Sequence, residues 1–579
     1  MKITGILLFY IFFTDFSTFS YYLPNAKLLI ECILKISPNT SFSIPTSEDY
    51  NEIRISENIR YNDDFPLLIV HVKSVESIQA SITCGRHFGL EIGVRNGGHS
   101  SSGFSNSNGI LLDLNTFNNV LSVNLYPNKL SYIKVQSGLR LGRLYGMLIK
   151  ASEAVQDIYK NTTFVVGAGT CPTVGVTGHI ICGGYGMLGR KLGFTSDQVI
   201  EFKIVNSYGK IRHINQYDNP SLFWALRGGC SSAFGIVIEL TIKITVVPSP
   251  SLTTFKTVIT NPNDIIDAML WFQKYSAVQA PDDFTMTALL HHDSLDIYGL
   301  FLGEKKDAFK LVLPELYDGL GKITSESELE NSFTKASFLD AVLLFSGETS
   351  LDNLINTVTL PGLDKRRSRR KTKSLLLYQP ICDRGVLEIM MDYLNKGVLN
   401  QMDIKAHNPY RAVTHTRNLN VEVEKAAGRR SEESEELDDV NRDSPLLRGY
   451  QFEVHFGKSY DVDANMTESE IKGITAKVVD SVNKIGRELQ NLLVGVHGEE
   501  PHGYPGYIDD DLKGELGIGG EDKDIPAAGV YYYGCCNTRR LATVKREFDR
   551  DQVLSTRVDK YLYPVSSKDL QCSSLCDLS

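Results

Sequence analysis

Seven of the twenty residues between Gly167 and Gly186 are glycine, and Cys171 sits near the head of the stretch. Glycine is needed where a backbone takes positive φ or must come close to another body. A run this dense between apolar segments reads as main chain wrapped along something flat or anionic, with amides turned toward it. An ordinary glycine-rich loop has the same composition, so the segments on either side decide what the stretch is for.

Those segments alternate. Leu67–Val72 reads as a buried strand, Ser74 as the cap of a helix reaching about His87, and Glu91–Arg95 as a strand running into Asn96-Gly97-Gly98-His99-Ser100. Leu141–Ala154 has helical periodicity, and a helix is expected over Met187–Leu192. Val199–Val205 and Ile236–Val246 read as strands, with Ser207-Tyr208-Gly209 a hairpin turn and a short helix ending near Gly228. Pro248 and Pro250 then break the pattern, which places a domain boundary there. Beyond it, helices near 264–276 and 385–396 alternate with strands and no second glycine-rich site. Lys365–Lys371 is a basic run, read as a solvated or protease-sensitive loop, and Glu422–Asp443 is too charged to pack a core.

The chain has 579 residues, enough for more than one domain. Its net charge of −9 argues against a nucleic-acid partner. Met1-Lys2, an apolar run from Ile3 to Phe13 and small polar residues to Ser20 make a signal peptide over 1–20, and no stretch is expected to span a membrane. Secretion also suits sequons at Asn39, Asn161 and Asn465 and ten cysteines. Cys32 and Cys84 are the favoured pair; Cys572 and Cys576 either bridge locally or lie in a tail.

Four ordered blocks carry a family resemblance: Arg95–Ser100; Ala168–Gly175 within the opening stretch; Arg190–Gly193 with Leu222–Gly229 and Phe234–Val237; and Tyr504-Pro505-Gly506-Tyr507-Ile508-Asp509 with Tyr533-Gly534, Arg540-Leu541 and Lys545. The chain resembles the berberine-bridge-enzyme-like oxidases of the vanillyl-alcohol-oxidase flavoprotein superfamily. The resemblance implies an α+β fold. A PCMH-type FAD-binding domain would span 21–248 and be completed by a C-terminal segment over 527–565, ahead of a tail at 566–579. A substrate domain over 249–526, interrupted by an insertion near 421–443, would supply an antiparallel sheet backed by helices.

The resemblance also implies bicovalent FAD, through the His99 imidazole to the flavin 8α carbon and the Cys171 thiolate to C6. The other expected FAD-binding residues are Arg95, Asn96, Gly97, Gly98, Ser100, Gly169, Thr170, Thr173, Val174, Gly175, Gly178, His179, Gly183, Gly184, Ile236 and Val237, with His179 fixing the loop rather than acting as a base. Tyr507 is the expected catalytic base, with Tyr504 in reserve, and no metal is expected. The implied reaction removes hydride from a C–H of a sugar, alcohol or specialised metabolite, with O2 taking the electrons to give H2O2, in a secreted monomer. A dehydrogenase using another acceptor, and a flavin-fold binding protein without turnover, stay open. The second is favoured by Thr177, Ile181, Cys182 and the Cys230-Ser231-Ser232 run, which stand where the family has mostly glycine or small residues, and by the charged insertion.

Overall fold

The computed structural model describes residues 16–61, 64–356, 369–406, 444–446, 451–460, 462, 466–497, 502–505 and 527–554. The strands among them form three sheets. The first is small and mixed, in the order Ser41–Ser43, Leu68–His71, Ile110–Asp113, Ile92–Arg95. Its last three strands run parallel and are apolar and buried. The helix Val75–Phe88 crosses between Leu68–His71 and Ile92–Arg95; Ser74 accepts from Ser77 N–H at its start and Gly89, at φ +64°, ends it. The first helix, Phe16–Ile36, begins inside the expected leader and is joined to this crossover helix by the Cys32–Cys84 disulfide. By loop entropy a cross-link over that separation contributes roughly 4 kcal/mol.

The second sheet orders Val120–Asn124, Ser131–Gln136, Ile236–Val247, Val199–Val205 and Ile211–Ile214, all antiparallel, with Thr163–Val165 paired to the far end of the long central strand. Leu141–Ala154 packs on this sheet as expected. The C-terminal helix Ala527–Phe548 joins the same core: Tyr532 and Leu541 are buried with Trp224, and the Arg540 guanidinium lies 4.0 Å over the Trp224 ring.

The third sheet has seven strands in the order Phe333–Ala336, Leu252–Ile259, Leu295–Phe301, Phe284–Leu290, Gln401–Ala406, Phe452–Tyr460, Arg369–Leu377. It is antiparallel throughout, and its alternation is that of a sheet with one dry face. Met286, Ala288, Met402, Ile404, Val454 and Leu375 point into a second core with the helices Pro262–Lys274, Arg384–Asn395 and Glu468–His497. The alternate positions are polar, among them Thr287, Asp403, Lys405, His455 and Thr372, and they face the rest of the molecule. Arg190, fully buried, ties the two halves: its guanidinium donates to the carbonyls of Ser276, Ala277, Ala280 and Pro281.

The architecture is thus α+β, with an antiparallel sheet backed by helices, as the resemblance implied. One expectation is corrected. The basic run does not stay a loop to its end, because Arg369–Lys371 open an inner-face strand. Arg370 is drawn there by a buried carboxylate described below. The charged segment 422–443, Cys572 and Cys576 lie outside the described residues, whereas the sequon residues Asn39 and Asn161 are exposed in turns.

Candidate active site

A cavity of about 950 Å³ lies between the glycine-rich loops and the polar face of the seven-stranded sheet. That volume is at the upper end for a small-molecule or cofactor site. Of the expected cofactor residues, Asn96, Gly97, Gly98, His99, Ser100, Gly169, Thr170, Cys171, Val174, Gly175, Gly178, His179, Ile236 and Val237 line it. Arg95, Thr173, Gly183 and Gly184 do not. Arg95 is buried against Asp113 at 3.2 Å, holding the end of its strand. Gly183 and Gly184, at φ +102° and +74°, shape the loop so that the Gly184 N–H donates to Tyr504 Oη at 2.7 Å.

Thr173 stands behind the wall yet organises it. Its hydroxyl lies 2.8 Å from His99 Nε2 and 3.4 Å from Cys171 Sγ, so both nucleophiles converge on one oxygen. On the other side of the imidazole, Nδ1 is 2.5 Å from the Glu57 carboxylate, which Arg370 also meets at 2.5 Å. Burial pushes the Glu57 carboxyl up, but His99 and Arg370 outweigh it and hold it down at about 2. An ionised carboxylate only accepts, so the ring proton stays on Nδ1 and the Nε2 lone pair faces Thr173 and the cavity. Glu57 and Arg370 carry no motif in the sequence, and only the fold brings them to His99.

The loops fit a flat, polar cofactor. A β-carbon at Gly97 would fall 2.3 Å from Gly175 N, so the two glycine loops touch main chain to main chain. A β-carbon at Gly178 would meet nothing within 4 Å and would project into open space beside the cavity. The Asn96 amide, buried on the same wall, has neither Oδ1 nor Nδ2 in a hydrogen bond. Buried polar atoms need partners, so the wall is built for a ligand carrying donors and acceptors. The residues standing in for small ones do not fill this space. Thr177 turns its hydroxyl onto the Ser137 carbonyl at 2.9 Å. Cys182 and Cys230 form a disulfide, and Cys230 sits at φ +53°, a conformation that favours glycine.

His179 acts as a brace. Its Nε2 accepts from the Gly169 N–H at 3.0 Å, and the Tyr145 hydroxyl donates to the Gly169 carbonyl at 3.0 Å. Burial pulls the His179 imidazole down to about 4. Because its folded value is depressed below the ordinary 6.5, the stability it contributes is present above about pH 6.5 and is lost as pH falls toward 4. Melting temperature is expected to drop between pH 7 and 5, and H179Q to show a smaller drop, read by calorimetry across that range.

The sheet side holds a cluster that no motif announced. Tyr185 Oη accepts from Lys405 Nζ at 2.7 Å and donates to Glu453 Oε1 at 3.1 Å. Lys405 also lies 4.9 Å from the Tyr185 ring centre, and the Tyr504 ring packs on Tyr185 with centroids 4.9 Å apart. Asp403 and His455 adjoin at 3.6 Å. Burial raises the Asp403 carboxyl, but His455 and Lys405 more than offset this and hold it at about 2. Burial lowers the His455 imidazole against the pull of Asp403. Tyr507, the base expected from sequence, lies outside the described residues. The reserve, Tyr504, borders the cavity with its hydroxyl engaged by Gly184.

An FAD binding domain model matches residues 66–215, and a berberine and berberine-like model matches 504–557. Berberine bridge enzyme-like 7 of Arabidopsis thaliana is 34% identical over 284 residues, 46% of this chain and 50% of that protein. Reticuline oxidase of Papaver somniferum is 29% identical over 349 residues, 57% of this chain and 61% of that protein. The chain spans about half the length of several of the curated relatives it matches. Among solved structures, the grass pollen allergen Phl p 4, described as having glucose dehydrogenase activity, aligns with a TM-score of 0.71 at 23% identity, covering 91% of this chain and 98% of that one. A chitooligosaccharide oxidase aligns at 0.68 and 19%, covering 93% and 100%. These two likenesses are of fold. Variants of Phl p 4 include both a glucose oxidase and a glucose dehydrogenase. The two matched models fall in order on either side of the seven-stranded sheet, with the glycine-rich wall inside the first, so the chain carries an FAD binding domain and a berberine-like C-terminal segment and is similar to the berberine bridge enzyme-like proteins.

Proposed function

We propose that this protein binds FAD through both His99 and Cys171 and oxidises a C–H bond of a small polar molecule: a sugar, an alcohol or a specialised metabolite. The observation that carries the reading is the convergence of His99 Nε2 and Cys171 Sγ on the Thr173 hydroxyl, at the wall of a cavity whose other wall is polar. Bonds to the 8α carbon and C6 of one flavin need two nucleophiles that reach the same ring of the isoalloxazine. The bound flavin supplies a hydride acceptor and a route for two electrons to O2.

The chain's own groups do the rest. Glu57 keeps the His99 lone pair on Nε2, while Arg370 joins that carboxylate to the sheet. His179 and Tyr145 fix the Gly169 peptide. On the sheet wall, the Lys405 ammonium stabilises negative charge on Tyr185 Oη, so Tyr185 is the group placed to take a proton from a substrate hydroxyl as hydride leaves. Tyr507 stays the base proposed from sequence. The protein is read as a secreted monomer, in keeping with its leader-like start, its disulfides and its exposed sequons.

Relatives of this fold include both oxidases and dehydrogenases, so the acceptor is decided by measurement. Purified holoprotein is mixed anaerobically with D-glucose, chitooligosaccharides and a series of primary alcohols. At least one is expected to bleach the flavin and, in air, to give one H2O2 per product. Bleaching without peroxide would move the reading to a dehydrogenase. A flavin that none of the compounds bleaches would count against catalysis.

A further inference from the structure

Glu453 is fully buried on the inner face of its strand, directly across the ladder from Lys405. It does not border the cavity. Tyr185 and Lys405 stand between it and the open space, both lining the wall. Its Oε1 accepts from Tyr185 Oη, and its Oε2 is buried without a hydrogen-bond partner. A carboxylate in that position is costly unless its charge has a use, because burial charges the full desolvation of every unpaired oxygen.

We propose that Glu453 is the positioning residue that receives the substrate's proton through Tyr185, so that the cavity's proton acceptor is a Tyr185–Glu453 pair rather than a phenol alone. The inference rests on the oxidoreductase reading above. The step balances. The substrate O–H proton passes to Tyr185 Oη, the phenol's own proton passes to Glu453 Oε1, and the C–H hydride is taken by the oxidised flavin as the carbonyl forms. Tyr185 ends as it began, a phenol. The Glu453 carboxylate ends as a neutral acid whose O–H remains inside the wall. The Lys405 ammonium already donates to the phenol oxygen and keeps that contact through the transfer. A route ending on the tyrosine would instead leave its proton facing the cavity.

The charged groups facing Glu453 set its readiness. Lys405 and Asp403 face it from the adjoining strand, His455 stands two residues along its own strand, and Tyr185 and Tyr504 come from the loops above. On its other side the paired residue is Leu376, which carries no charge. Burial raises the carboxyl, Lys405 and Tyr185 pull it back, Asp403 raises it, and it settles at about 7. A proton store that both fills and empties near neutrality needs a value of that kind.

The test uses the full-length holoprotein and has two arms. In the first, infrared difference spectra are taken across pH 5 to 9 without substrate. A protonated-carboxyl band is expected to vanish with a midpoint near 7, and to be missing in E453Q. In the second, the anaerobic rate of flavin bleaching is followed across the same range with D-glucose or chitotriose as reductant. The wild-type rate is expected to rise with pH through about 7. E453Q is expected to be about 10²-fold slower at pH 8 with that rise abolished, and E453D to restore the rise. A merely structural Glu453 would change the rate without removing the pH step. Absence of the infrared band, or an unchanged pH step in E453Q, overturns the proposal. If neither sugar bleaches wild-type flavin, the failure belongs to the substrate reading, and the infrared arm alone decides whether Glu453 holds the proton.

Discussion

Replacing His99 and Cys171 together by alanine is expected to release the flavin: the denatured double variant should give a colourless pellet, while either single variant should stay yellow. On the proposed double attachment, C171A should keep the bond to the imidazole and H99A the bond to the thiolate. The large effect follows from geometry, because both side chains meet at the Thr173 hydroxyl and Glu57 and Arg370 hold the imidazole from behind. The same geometry ranks milder changes. T173V removes the shared hydroxyl without moving the backbone far, so it slows attachment at both sites. E57Q loosens the tautomer and so affects the His99 bond first. The measurement is the fraction of flavin that remains with acid-precipitated protein, with the attached peptide identified by mass. A double variant that still carries flavin after denaturation would remove both residues from the assignment.

The second large effect concerns Tyr185. Y185F removes the oxygen that Lys405 and Glu453 both address and leaves the ring that Tyr504 packs against. General-base loss typically costs 10² to 10⁴ in rate, so anaerobic bleaching is expected to slow by about 10³-fold with the flavin spectrum unchanged. Y507F, made in parallel, separates the base read from the structure from the one read from sequence. If Y507F falls by that factor and Y185F does not, the sheet cluster is a structural feature of the wall. Removing Lys405 is a poorer test. It strands the Glu453 charge in a buried site, and such breaks destabilise by about 3–5 kcal/mol.

The cofactor wall was legible in the sequence because its requirements are local. Positive φ and close main-chain approach admit few residues besides glycine, and Gly97, Gly98, Gly175 and Gly178 all reach the cavity. Elements with clean periodicity and capping were equally plain: Leu141–Ala154 and Val199–Val205 have the bounds their patterns predict, and Ser74 caps its helix. The sheet wall was hidden for the opposite reason. Asp403 and Lys405 alternate as any solvent-facing strand does, and Glu453 and His455 repeat the pattern some fifty residues on. Only the antiparallel register, Lys405 opposite Glu453 and Asp403 opposite His455, turns two ordinary polar stripes into one buried cluster.

Arg370 was masked by its neighbours in a basic run, where charge density reads as solvation; its partner Glu57 lies more than 300 residues earlier. Cys182 and Cys230 looked like two separate departures from glycine. The fold makes them one substitution, a disulfide joining two loops of the same wall, with the Cys230 N–H also donating to the Ile181 carbonyl. With Thr177, Ile181, Cys182 and Cys230 in place, the cavity stays open.

The central claim is that one flavin is joined to this chain at both His99 and Cys171. Its most direct test is proteolysis of acid-denatured wild-type protein, followed by mass spectrometry of the yellow fraction. The account predicts a single flavin linking two peptides, one containing His99 and the other Cys171. A colourless pellet, or a flavin peptide that contains neither residue, would contradict it.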